Sequence, residues 1–369
     1  MKHYLSLCLT FLFLTGCAAN QVPEPMTHYN PDDKLVIAHR GASGYLPEHS
    51  MASKAMAYAM GADYIEQDVV MSKDNELVVL HDPYLDRVTN VMSIFPNRSR
   101  KVSGQQRWFA IDFTLEEIKS LSMTEAFSVD EKSNQLNANY SERFPLFKST
   151  FQVSTLKEEI ELIQGLNKST GKNIGIYVEV KAPWFHLSEG RDISREMLTI
   201  IKSYGYLSKT DKIFIQCFDP DETKRIKNIL MPELEINLKL VQLIAQTSWN
   251  ETMRLTKEGK LVAYNYDWMF EPGAMKKIAA YADAIGPWKQ MLVDDKSTKD
   301  NLLISDMVKD AHLEGMKVHP YTFRADQGRV PEYAESFEKL LEIFYFKVGV
   351  DGLFTDFPDK AVDYLKSVN

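Results

Sequence analysis

Cysteine is almost missing from the body of this chain. Cys8 and Cys17 lie near the N-terminus, and Cys217 stands alone among the residues that follow. Once a leader is removed, Cys217 has no intramolecular partner, so an internal disulfide is excluded; a chain of 369 residues buries enough apolar surface without one. An excess of basic charge is also lacking. The net charge of -8 argues against a nucleic-acid binder that works through a basic surface. Beyond the N-terminus no apolar run reaches the roughly 18 residues that span a bilayer, so the body is expected to be soluble. What remains is an ordinary globular balance, 44% hydrophobic and 25% charged, long enough for one large domain or two smaller ones.

The N-terminus differs from the rest. Lys2 precedes an apolar stretch from Tyr4 to Leu14, too short for a comfortable span, which is the pattern of a secretory signal. Leu14-Thr15-Gly16-Cys17 is similar to the bacterial lipobox, whose cysteine is lipidated and becomes the first mature residue; the alternative is a plain signal peptide cut nearby. The expected organisation is a signal over residues 1–16, a lipidated tether over 17–33, and a catalytic domain over 34–369. The membrane is then met through a lipid on Cys17. The protein would be exported to the periplasm, and Ala18 after the cysteine points to the outer membrane.

The stretch around which the body is organised is LVIAHRGASGYLPEHS, Leu35–Ser50. An apolar run of the kind that forms a buried strand delivers His39 and Arg40 directly before a glycine-bearing loop. From there strand-like and helix-like segments alternate. His49-Ser50 starts and Gly61 stops a helix with apolar residues at helical spacing, and Ser154 to Gly171 is amphipathic. The strand candidates are LVIAHR, YIEQDVVM, ELVVLHD, NIGIYVEVKAPW, KIFIQCFDPD, LKLVQLI, MKVHPYTF and VDGLFTDFPD. YIEQDVVM and ELVVLHD are joined by a short turn, so they pair as a hairpin or lie side by side in a barrel. Residues from about 90 to 151 break the alternation. They are polar, include one capped helix at DFTLEEIKSL, and are expected to be an insertion with too little apolar sequence for its own core.

About eight strands, most followed by a helix, argue for a parallel sheet with covered faces. Polar residues gather at the C-terminal ends of many strands: His39, Glu66 and Asp68, His81, Glu179 and Lys181, Gln216, His319, Asp356. An open sheet collects its site at one switch point, whereas a (β/α)₈ barrel feeds one site from every strand. The expected fold is therefore a (β/α)₈ TIM barrel with an inserted region after the third strand.

Glu66 and Asp68 stand at i and i+2 on a strand, so their side chains share one side. Two carboxylates in a barrel mouth repel unless a cation or a proton intervenes, or unless one pairs with Arg40 or Lys181. With Glu179 they make three oxygen donors without a cysteine or histidine cluster, which suits Ca²⁺ or Mg²⁺ better than zinc. A glycosidase pair fits less well, since its carboxylates face each other across a sugar. His39 and His81 both end apolar strands. Phosphodiester cleavage needs a base for the attacking oxygen, an acid for the leaving alkoxide, and cations on the non-bridging oxygens. The two histidines, Arg40, Lys181 and a divalent ion make that set.

HRGASGYLPEHS, YIEQDV, LVVLHD, YVEVKAPWFH, QCFD, HPYTFR and GLFTDFPD together resemble the bacterial periplasmic type of glycerophosphodiester phosphodiesterase, from about Leu35 to Leu365. The resemblance implies a (β/α)₈ barrel with an insertion and Ca²⁺ as the usual metal. It also implies hydrolysis of glycerophosphodiesters, such as glycerophosphocholine or glycerophosphoethanolamine, to sn-glycerol 3-phosphate and an alcohol. It maps the paired histidines onto His39 and His81, the metal carboxylates onto Glu66, Asp68 and Glu179, and phosphate contacts onto Arg40 and Lys181. Val178, where a proline is common, and His319-Pro320-Tyr321, where many relatives carry a tryptophan, depart from the pattern and bear on substrate contacts. Gln216, Phe218 and Tyr321 are candidate substrate contacts or packing residues. Trp184 and Trp288 are candidates for the mouth, while FTDFPD is read as a strand-end turn. The competing functions are a phospholipase D-like or cyclising enzyme on phospholipids and a non-enzymatic surface lipoprotein.

Overall fold

The computed structural model describes residues 33–368 other than 103, 131 and 134. The expected signal segment, Cys17 and the tether up to residue 32 lie outside the described residues.

Eight parallel strands form the barrel: β1 (Leu35–Ala38), β2 (Tyr64–Met71), β3 (Gly175–Val180), β4 (Ile213–Cys217), β5 (Lys239–Ile244), β6 (Ala284–Pro287), β7 (Lys317–Val318) and β8 (Gly352–Thr355). They neighbour one another in chain order, and β8 returns to β1 with Leu35 opposite Gly352 and Ala38 opposite Thr355. The last seam is closed by the segment beyond β7. There Asp351 N donates to Val318 O at 3.0 Å, Phe354 N to Pro320 O at 3.0 Å and Phe323 N to Phe354 O at 2.8 Å. Helices between the strands cover the outside, and a large apolar cluster fills the space between them and the strands' outward faces.

Local chemistry accounts for the helix boundaries nearest the site. Ser50 accepts from Ser53 N at the start of Met51–Met60, and Gly61 ends that helix at φ 87°, where glycine carries no steric penalty. Leu156–Thr170 opens on a capping box of Thr155 and Glu158. The first helix and the stop of the second at Gly171 match the expectation from sequence, while the second starts two residues after Ser154, behind its Thr155 cap.

The inward faces carry the functional logic. Ile37, Tyr64, Tyr177, Phe214, Val241, Ala284 and Phe354 make a separate cluster inside the barrel. Successive residues of a strand alternate sides, so the residue two positions on points the same way. Two residues beyond Ile37 stands His39; beyond Tyr64, Glu66 and then Asp68; beyond Tyr177, Glu179; beyond Phe214, Gln216; beyond Phe354, Asp356. One periodicity fills the interior with apolar side chains and lines its mouth with polar ones. Gly175 makes room in this packing, because a Cβ there would sit 2.4 Å from the Tyr64 ring.

Two strand assignments differ from the sequence reading. Leu77–Val79 is outside the barrel: it runs antiparallel to the end of β2, with Val69 opposite Val79 and Met71 opposite Leu77. A turn at Ser72–Asn75 is far too short for the crossover that a parallel neighbour needs, about a dozen residues. The eighth barrel strand is instead Ala284–Pro287, which is not among the strand candidates. The insertion therefore follows a hairpin off β2 rather than a third barrel strand. It also has more core than expected. Leu85, Val88, Trp108, Phe113, Ile118, Leu121 and Met123 bury against Val70 and Val78 in a second cluster, so the lobe borrows part of its core from the barrel's own hairpin. Within it Leu115–Lys119 is capped by Thr114.

Candidate active site

Every sequence-predicted site residue arrives at the C-terminal mouth of the barrel. His39, Arg40, Glu66, Asp68, His81, Glu179, Gln216, Phe218 and Tyr321 all line one cavity of about 290 Å³. Lys181 lies at its edge, with Nζ 2.7 Å from Glu179 Oε1, and lines the adjoining cavity. His81 is the exception in origin. It is delivered by the hairpin strand off β2 rather than by a barrel strand.

Strand register explains the carboxylate cluster. Asp68 on β2 is directly opposite Glu179 on β3, and Glu179 is opposite Gln216 on β4. Glu66 lies one inward position below Asp68. Ligand atoms of Glu66, Asp68 and Glu179 come within 4.8 Å of one another, and all three residues are buried. Gln216 Nε2 donates to Glu66 Oε1 at 2.9 Å, and Arg40 N donates to Glu66 Oε2 at 2.8 Å. Asp68 Oδ1 and Gln216 Oε1 are buried without a hydrogen-bond partner among the described residues.

The electrostatics are those of too much negative charge in too little solvent. Burial and the neighbouring Asp68 push the Glu66 carboxyl up to about 8. Burial likewise pushes Glu179 well above the usual carboxylate range, against the pull of Lys181. Asp68 is buried too, but the His49 imidazole beside it, 2.8 Å away through Nε2, holds it well below that range. Three hard oxygen donors, with the unpartnered Asp68 Oδ1 among them and the unpartnered Gln216 Oε1 beside them, fit a divalent cation of the Ca²⁺ or Mg²⁺ kind.

Each histidine is oriented by a carboxylate. His39 Nδ1 is 2.6 Å from Asp356 Oδ1, and His81 Nδ1 is 2.6 Å from Asp82 Oδ1. With Nδ1–H donated to a carboxylate, Nε2 of each ring is left for chemistry. His39 Nε2 sits 3.9 Å from Glu66 Oε2. Burial and then Arg40 lower His39 to about 4, against the raising effect of Asp356, and burial with Arg40 and Lys181 lowers His81. Both rings are thus neutral near pH 7 and able to accept a proton. The cations are held as firmly. Arg40 Nη1 donates to Glu48 Oε2 at 2.8 Å, Arg87 bridges Glu48 and Asp82, and Arg40 Nε has no hydrogen-bond partner.

The side-chain orientation of Tyr321 was not foreseeable. Its hydroxyl donates to Ile244 O at 2.7 Å, so it presents a ring edge-on to Phe218, with centroids 5.8 Å apart, rather than a hydroxyl to the cavity. Trp288 lines the catalytic cavity and Trp184 the one beside it. Four residues with clear roles in positioning lacked an assignment from sequence: Asp356, Asp82, Glu48 and His49. Asp356, in the segment read as a strand-end turn, holds His39 and is itself bound by Arg143 at 2.6 Å and Arg324 at 2.8 Å. The available signal was its place two residues past an inward-facing Phe354.

A barrel of this topology, with two carboxylate-oriented imidazoles, two cations and an acidic cluster at its mouth, defines a phosphodiesterase of the (β/α)₈ class. Residues 39–360 match the glycerophosphoryl diester phosphodiesterase family. The chain is 49% identical to a glycerophosphodiester phosphodiesterase of Haemophilus influenzae, covering 96% of both chains. It is 42% identical to one of Treponema pallidum, over 90% of this chain and 92% of the other. Among solved structures, a putative glycerophosphoryl diester phosphodiesterase of Silicibacter pomeroyi shares the fold with a TM-score of 0.59 at 20% identity, covering 91% of this chain and 94% of that one. An Oleispira antarctica phosphodiesterase in complex with the product sn-glycerol-3-phosphate does so with a TM-score of 0.57 at 19% identity, covering 90% and 96%. The chain belongs to the glycerophosphoryl diester phosphodiesterase family, and it is a phosphoric diester hydrolase.

Proposed function

We propose that the protein hydrolyses small glycerophosphodiesters, glycerophosphocholine and glycerophosphoethanolamine among them, to sn-glycerol 3-phosphate and the free alcohol. The reading assigns Glu66, Asp68 and Glu179 to a Ca²⁺ ion. Such an ion supplies positive charge to the phosphate oxygens and acidifies a hydroxyl near it. The observation that carries the proposal is the convergence of two imidazoles, each with Nδ1 tied to a carboxylate, on the cavity that holds the acidic cluster.

Arg40 and Lys181 bind the non-bridging oxygens and offset the charge that grows on them. One imidazole Nε2 takes the proton of the attacking oxygen and the other returns one to the departing alcohol. The attacking oxygen belongs either to the neighbouring glycerol hydroxyl, giving a cyclic phosphate that water then opens, or to water itself; the same groups serve both routes. The substrate's own negative charge favours the protonated form of the imidazole acting as acid. Gln216 braces Glu66, and Phe218 and Tyr321 supply an apolar wall to the glycerol or head-group side. The Oleispira antarctica complex with sn-glycerol-3-phosphate supports the product assignment. The lipobox-like segment ending at Cys17 supports a lipoprotein of the periplasm, held at the outer membrane.

The test is release of glycerol 3-phosphate from glycerophosphocholine by the purified protein, with Ca²⁺ and with EGTA, beside Glu66→Ala. Calcium-dependent release that the variant lacks is expected. Cyclic phosphate as the end product would replace this reading with a lyase, and phosphatidic acid formed from added phosphatidylcholine with no release from glycerophosphocholine would replace it with a phospholipase D.

A further inference from the structure

We propose that the cavity beside His81 is a pocket for a cationic head group, with Glu251 as its counter-charge and the indoles of Trp184 and Trp249 as its walls. The proposal rests on the reading of the protein as a glycerophosphodiester hydrolase and adds which alcohols it selects. The cavity measures about 200 Å³ and opens directly from the catalytic one, sharing His81, Glu179, Phe218, Trp249 and Glu251 with it. A group bound there is therefore attached to the phosphate, not remote from it.

The lining has the chemistry of an ammonium site. Arg107 already lies over Tyr84, at 5.0 Å from the ring centroid, and Lys181 over Phe218 at 5.5 Å. Among the described residues no cation lies over Trp184 or Trp249, and both are only partly buried. Indole is the aromatic face that attracts a cation best, quaternary ammonium included. Trp184 Nε1 donates to Glu251 O at 3.1 Å, which joins the loop after β3 to the loop after β5 and fixes both walls relative to each other.

The carboxylates are not equivalent. Asp82 is taken by His81 and Arg87, and Glu179 by Lys181 and the acidic cluster. The Glu251 carboxylate makes no hydrogen bond or ion pair among the described residues, although the residue lines both cavities. Lys181 feels it only as a more distant charge, after Glu179 and Asp68. The cation that lines this cavity, Lys181, is paired with Glu179, 2.7 Å away. On the other side of the catalytic cavity the balance reverses: the space next to His39 is lined by Arg40, Arg87, Arg143, Arg324 and Arg329 against the two carboxylates of Glu48 and Asp356. A positively charged alcohol is repelled from that side and attracted to this one, so the polarity of the two cavities sets which way round the diester lies.

Steady-state kinetics of the purified full-length protein with Ca²⁺ on glycerophosphocholine and on uncharged-head-group glycerophosphoglycerol test the idea. Glu251→Gln is expected to raise KM for glycerophosphocholine about tenfold with little change in kcat, because the lost contact is made equally in ground and transition states. The ratio of kcat/KM between the two substrates falls by the same factor. Glu251→Lys should lower the ratio further, and Trp184→Leu should lower it through the second wall. A ratio unchanged in Glu251→Gln and in Trp184→Leu, with both substrates still turned over, overturns this proposal alone. A wild-type protein that cleaves neither diester overturns it together with the function on which it rests.

Discussion

His39 and Asp356 meet at 2.6 Å, Nδ1 to Oδ1, across 317 residues of sequence. One ends β1 and the other follows β8, so the seam that closes the barrel is also the contact that orients a catalytic-site imidazole. Arg143, from the insertion, binds the other oxygen of Asp356 and both oxygens of Asp326. The lobe is thereby tied to the carboxylate that sets the histidine.

Replacing Asp356 by Asn removes the negative charge that favours Nδ1–H on His39. It also leaves Arg143 and Arg324 without their shared anion. We expect turnover to fall by roughly 10²-fold or more with KM little changed, measured as glycerol 3-phosphate release. Activity within twofold of wild type would show that the dyad does not orient the ring for catalysis.

Removing either imidazole has a comparable expected cost. His39→Ala and His81→Ala should each lower kcat by at least ~10². Near wild-type rates in both would remove acid–base catalysis by this pair from the mechanism.

The acidic cluster predicts metal-linked stability. A cation that binds only the folded state stabilises it by about 2.7 kcal/mol at a hundred times its Kd. Thermal unfolding should therefore shift upward with added Ca²⁺ and return with EGTA, and Asp68→Asn should abolish the shift. An identical Ca²⁺ shift in that variant would place the ion elsewhere.

Arg143 gives a prediction about the insertion. Its side chain is 5% exposed and donates to Asp326, Asp356 and Ser43 O. Arg143→Ala leaves the Asp326 carboxylate without its arginine and takes one of two arginines from the buried Asp356, which keeps Arg324 and His39. Removing one partner of such a buried pair costs about 3 kcal/mol or more in comparable cases. Urea unfolding should show the loss. A midpoint within experimental error of wild type would mean that the lobe is anchored by its apolar cluster instead.

Away from the site, His186 makes stability depend on pH. Its Nε2 accepts from Met71 N at 3.1 Å and its Nδ1 donates to Ala182 O at 3.1 Å, so the buried ring must be neutral. Burial lowers it from 6.5 to about 4. A depressed histidine contributes stability that is fully present above 6.5 and is lost as pH falls towards 4, on the order of 3 kcal/mol in all. Compared with His186→Gln, the wild type should lose more stability between pH 7 and 4. Parallel losses in the two proteins would rule out this ring as the acid-sensitive group.

Much of the site was legible because its residues follow inward-facing apolar positions at a spacing of two. Glu66 after Tyr64, Glu179 after Tyr177 and Gln216 after Phe214 need only the pleat of a strand to be placed. The same rule carries Asp356, but a carboxylate inside FTDFPD has no local mark that separates an imidazole partner from a turn. The orienting roles of Asp82 and His49 were hidden for a related reason. What a polar side chain bonds depends on the neighbour brought to it, not on the residues beside it in the chain.

Alternation of apolar strands and amphipathic helices, with polar residues at so many strand ends, determined the barrel class and the identity of its acidic cluster, histidines and cations. Those features depend on the strand's two-residue and the helix's 3.6-residue periods, which are written in neighbouring residues. Only the tertiary structure decided that Leu77–Val79 turns back on β2 while Ala284–Pro287 joins the barrel, that Arg143 reaches from the insertion to Asp356, and that the Glu251 carboxylate has no partner among the described residues beside two indoles. These outcomes depend on which backbone hydrogen bonds and charges are met across hundreds of residues. No local pattern encodes such meetings, because their free energy exists only once the barrel has closed.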